Sequence, residues 1–205
     1  MIFFFLLFLQ KKVQEEKVDY KNIYYPPGGI LLWIVIFLEL ITFGMALVGF
    51  AYYGKTNPEI YSESAPLLNK TFGAINTVLL LISGFFMATA VHQFKTGNQK
   101  KYSLFLLLTM LGGILFLGFK SFEYFHKIES GLTLGYNTFF TFYWLLTLFH
   151  VIHVLVGMVI LISLYRGSKK EKLLTKLEDL EAGAAFWHMC DLIWLILFPI
   201  LYLIF

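Results

Sequence analysis

Apolar residues run along this chain in long blocks broken by short polar stretches. Five blocks are long enough to cross a bilayer as helices: about 30–53, 72–94, 102–125, 137–165 and 183–205. A hydrocarbon core about 30 Å thick needs roughly 20 such residues at 1.5 Å of rise each. The blocks do not alternate as barrel strands do, and an open sheet would leave unpaired backbone in lipid. The pattern therefore predicts an all-α membrane bundle of five transmembrane helices over 29–205, preceded by an interfacial tail over 1–28. Lys55-Thr56-Asn57-Pro58 breaks the chain after the first span, and Lys95-Thr96-Gly97-Asn98 makes a tight turn after the second. The mixed-charge stretch Arg166–Glu181 reads as an amphipathic surface helix. The opening apolar segment Ile2–Leu9 is too short to span and lacks the flanks of a signal peptide.

Composition strengthens this picture. Of 205 residues, 59% are hydrophobic and only 14% charged, where soluble domains have about 45–50% and about 25%. The net charge of +3 comes from basic residues lying between apolar spans, so it does not point to nucleic acid. Twelve of the sixteen Lys and Arg fall in the tail and in the second-to-third and fourth-to-fifth connections; three fall on the other side. By the positive-inside rule the N-terminus is cytoplasmic and the C-terminus lies on the opposite face. The single cysteine, Cys190, excludes an intramolecular disulfide and an iron–sulfur or dinuclear copper site.

Ionisable residues inside spans are costly, so they mark protein-facing or functional positions. Glu39 lies in the first span, Asn76 in the second, Lys120 and Glu123 in the third, His150 and His153 in the fourth, and His188 and Asp191 in the fifth. Three of these sets are i,i+3 pairs, each on one helix face. Counting rise along the helices places Glu39, His150, His153 and Asp191 in one inner polar layer, with His188 beside Asp191. Lys120 and Glu123 form a separate outer pair. Glu39 fits two roles, a protonated carboxyl tying helices together or a proton-handling group. His150 and His153 fall short of the three or four ligands a metal site requires. His188 and His92 sit near the cytoplasmic end as headgroup or backbone anchors. Trp33, Tyr52, Tyr53, Tyr102, Tyr124, Tyr136, Tyr165, Trp187 and Tyr202 read as interface belts. Gly84 and Ala88 present a small-residue packing face. No phosphate loop or Ser–His–Asp set is visible, so the chain reads as a membrane subunit without a catalytic centre of its own.

Several of these stretches resemble one family. Phe142-Tyr143, then Phe149-His150-Val151-Ile152-His153-Val154 and Gly157, resemble the fourth-span signature of cytochrome c oxidase subunit III. Phe186-Trp187-His188-Met189-Cys190-Asp191, with Trp194 three residues on, is similar to its last-span motif. Asn76-Thr77 with Ser83 resembles the second span, Phe122-Glu123-Tyr124 the end of the third, and Glu39 the buried acidic position of the first. The resemblance covers about 29–205 and implies the shorter five-span form. It implies a chain that binds no haem or metal itself and packs against a large haem-bearing catalytic subunit. It further implies structural phospholipid, support of proton uptake, and a bacterial inner membrane location. Lys120 replaces the family's usual Gln, and Val151 a usual Gly. Together with Asn137-x-Phe139-Phe140 and Leu197-Phe198-Pro199, these look like the NorE-type proteins associated with nitric oxide reductase. The alternatives are subunit III of an oxygen-reducing cytochrome c or quinol oxidase, and, in another class, a stand-alone proton channel or transporter.

Overall fold

The computed structural model describes residues 26, 28–168 and 175–205. The tail and its Ile2–Leu9 segment lie outside them. The helices are α1 (Ile30–Thr56), α2 (Pro58–Ser64), α3 (Lys70–Lys95), α4 (Gln99–Glu129), α5 (Thr138–Ser168) and α6 (Leu177–Tyr202), with a 3₁₀ turn at Ala65–Leu67. All but α2 are long and apolar enough to cross a membrane.

Local chemistry sets the ends. Asn69 caps α3, its side chain accepting from the Thr71 and Phe72 amides at 3.0 and 3.2 Å. Asn98 accepts from the Lys101 amide and Asn137 from the Phe140 amide, so α4 and α5 start the same way. Pro58 opens α2, where a missing N–H costs nothing. Pro199 sits inside α6, close to its end.

The helices run longer than the apolar blocks because polar residues extend them beyond the hydrocarbon. The predicted surface helix over Arg166–Glu181 is corrected. Arg166–Ser168 complete α5 and Leu177–Glu181 begin α6, while 169–174 lie outside the described residues.

α3 and α4 pack as a hairpin. α6 is the most buried span and touches α1, α3 and α5; α1 is the least buried and rests on α5 and α6. Close approach depends on missing side chains. A Cβ on Gly157 of α5 would lie 2.9 Å from the Trp187 ring, and one on Gly84 of α3 would overlap the Asp191 carboxylate. Gly84 is therefore a packing position, as expected, whereas Ala88 is exposed.

The aromatic belt is also corrected. Tyr102, Trp187 and Tyr202 are fully buried. Trp187 donates to Ser83 Oγ at 3.1 Å and Trp194 to Thr77 Oγ1 at 3.1 Å, each tying α6 to α3. Their ring N–H groups find partners inside the bundle, so these residues need no headgroup. Tyr52, Tyr53 and Tyr136 are exposed, consistent with a belt.

Candidate functional site: three polar pairs within the spans

The first pair joins α1 to α5. Glu39 Oε2 lies 3.1 Å from His153 Nε2. His153 Nδ1 lies 2.8 Å from the Phe149 carbonyl oxygen one turn earlier, so that nitrogen carries the proton. Nε2 then either accepts from a protonated Glu39 or, as imidazolium, donates to its carboxylate. Both arrangements place one proton between the two groups and leave the pair neutral overall. Phe43 and Phe149 wall the imidazole, with ring centroids 5.6 and 4.6 Å away. Glu39 keeps a side-chain exposure of 26%, so the seam is accessible from one edge.

The second pair lies toward the opposite end of the bundle. Lys120 and Glu123 are buried on α4, with Lys120 Nζ donating to Glu123 Oε2 at 2.9 Å. Nζ also donates to the hydroxyls of Tyr202 at 2.8 Å and Tyr143 at 3.3 Å. Those hydroxyls in turn donate to Glu123 Oε1 at 2.7 and 3.0 Å. The ammonium thus uses its three donors, and both carboxylate oxygens are engaged. The rings of Tyr124, Tyr143 and Trp194 lie 5.0–5.1 Å from Nζ and add cation–π attraction. Three helices supply this closed cage. Sequence reasoning found the ion pair and missed the two tyrosines. The available signal was that an i,i+3 pair facing the interior needs further partners from neighbouring spans.

The third pair is on α6, with His188 Nδ1 3.5 Å from Asp191 Oδ2. Asp191 lies against Gly84 of α3. His188 is eleven residues into α6 and five residues inside the apolar block that begins near 183. His92 is exposed near the end of α3.

The predicted single inner layer is therefore divided. Glu39 meets His153 between α1 and α5, while Asp191 turns to α3. His150 joins neither: its ring stacks on Trp194 at 5.3 Å and meets Phe116 edge-on at 5.6 Å. Both its nitrogens are buried without a hydrogen-bond partner among the described residues, as are both amide atoms of Asn76. Among the described residues no three His, Cys, Asp or Glu side chains converge as metal ligands.

The family model of cytochrome c oxidase subunit III matches residues 25–204. A cytochrome c oxidase subunit 3 from Synechocystis sp. is 29% identical over 182 residues, covering 86% of this chain and 74% of the relative. A probable cytochrome c oxidase subunit 3 from Rickettsia felis is 33% identical, covering 93% and 74%. A quinol oxidase subunit 3 from Bacillus spizizenii is 27% identical, covering 83% and 84%. A five-helix body that carries Glu39, the two histidines of α5 and the Trp-His-x-x-Asp run of α6, matched over nearly its whole length, belongs to the cytochrome c oxidase subunit III family of haem–copper oxidases.

Proposed function

We propose that this multi-pass membrane chain is a non-catalytic accessory subunit of a respiratory haem–copper oxidoreductase in a bacterial inner membrane. It stabilises the haem-bearing subunit and supports proton uptake through Glu39 and His153. The observation that carries this reading is the internal pairing of six ionisable groups in the spans: Lys120 with Glu123, Glu39 with His153, His188 with Asp191. They are spent on one another and do not converge on a common cavity. Haem and metal belong to the partner, and structural phospholipid is the small molecule this chain would hold.

Within the family we favour a NorE-type subunit working with nitric oxide reductase. Lys120, in place of the usual Gln, supports it, because the cage offers three acceptors to its Nζ. A second reading rests on the relatives, whose names are those of cytochrome c and quinol oxidase subunits. Affinity purification of tagged chain in mild detergent tests both. Haem b with a nitric oxide-consuming large subunit supports the favoured branch; haem a or o with an oxygen-consuming one replaces it by the second. A colourless chain without a partner, from a preparation where the complex survives, overturns both in favour of a free-standing channel or transporter.

A further inference from the structure

The three pairs differ in where they face. The cage is closed, and Glu39 with His153 fills the α1–α5 seam. His188 keeps 44% of its side chain exposed, five residues inside the apolar block that begins near 183. Its neighbours on the outward side of α6 are Leu192, Leu195 and Ile196, exposed by 45, 37 and 41%, which lipid can cover at no cost. Lipid cannot hydrogen-bond an imidazole, so a polar group facing it is better satisfied by protein.

This side of α6 is framed by two helices. Trp187, Asp191 and Trp194 reach α3 at Ser83, Gly84 and Thr77, whereas Ala182 backs onto Gly28 at the start of α1. At about 100° per residue those directions are almost opposite, so α1, α6 and α3 make a broad flat wall with His188 on it. Its Nδ1 lies 3.5 Å from Asp191 Oδ2, whose carboxyl fits only because Gly84 has no Cβ. With Nδ1 turned to that carboxyl, Nε2 on the far side of the ring is the nitrogen directed to a partner. Asp191 is itself only 6% exposed, and its Oδ1 has no hydrogen-bond partner among the described residues. The exposed Ala88 on α3 lets a neighbouring helix come close.

We propose that the α1–α6–α3 wall receives a transmembrane helix of the haem-bearing subunit, which presents a polar side chain that hydrogen-bonds His188. The inference rests on the proposed function and assigns it a face. The test is photocrosslinking in the intact membrane complex, with p-benzoylphenylalanine replacing Leu192 or Leu81 on the wall, or Leu111 of α4 or Leu155 of α5 as outward-facing comparisons. Wall positions should crosslink to the haem-bearing chain and the comparison positions should not. His188→Leu should lower the haem-bearing chain recovered per tagged subunit about five- to tenfold, while His188→Gln, which keeps a group able to hydrogen-bond, should retain it. Crosslinks from Leu111 or Leu155 alone, a wall crosslink to a second copy or only to lipid, or unchanged recovery with His188→Leu overturns this proposal and leaves the proposed function standing. A wild-type preparation without any haem-bearing chain overturns both.

Discussion

Lys120 shows what a single residue does in a dry interior. Its ammonium lies 2.9 Å from Glu123 and 2.8 Å from the Tyr202 hydroxyl, with both partners buried. Desolvation of two charges is costly, and the pair repays it only while every donor and acceptor is matched. Lys120→Met should therefore cost about 3–5 kcal/mol by stranding the Glu123 carboxylate. Adding Glu123→Leu to that variant should recover part of the loss, which thermal unfolding in detergent followed by circular dichroism would measure. Equal losses in the single and double variants would mean that packing, not charge, holds the cage. Glu39 poses a milder case, since its partner is one histidine and its edge is accessible. Glu39→Gln should keep the α1–α5 seam, because an amide still bonds His153 Nε2. Glu39→Leu should lose about 1 kcal/mol, read as weaker assembly; normal assembly and turnover in both variants would remove any role for the seam.

Helix contacts depend on where side chains are absent. A methyl at Gly157 would press on the Trp187 ring at 2.9 Å, whereas one at Gly118 would meet nothing within 4 Å. Gly157→Ala should destabilise by about 1–3 kcal/mol through overpacking. Gly118→Ala, in the same kind of helix, should be neutral or gain up to about 1 kcal/mol from propensity. Comparing their unfolding midpoints separates close packing from the general effect of removing a glycine. Five spans and their order were legible from apolar block length and short polar breaks. The helix ends around 166–181 were not, because charged residues outside the hydrocarbon continue a helix as readily as they start a new one.

For the whole molecule the orientation remains a matter of charge. The Lys-rich α3–α4 turn should lie in the cytoplasm and the α4–α5 connection outside. A membrane-impermeant maleimide on intact cells should label Ser130→Cys and leave Thr96→Cys untouched until the membrane is permeabilised. The reverse pattern would invert the topology.

By itself the sequence determined that this protein lives in a bilayer and how many times it crosses. Those follow from composition and from a fixed rise per residue along a helix. It also determined the i,i+3 pairs, since neighbours on one helix face need no partner helix to meet. Only the tertiary structure decided azimuth. Glu39 and His153 share a depth and also a seam, while Asp191 turns toward Gly84 on the other side of α6. Tyr143 and Tyr202 close around Lys120 because α5 and α6 bring them to α4. Counting along a helix fixes height; which helix stands on which side depends on side-chain shape, and above all on the glycines that let α6 come close to α3 and α5.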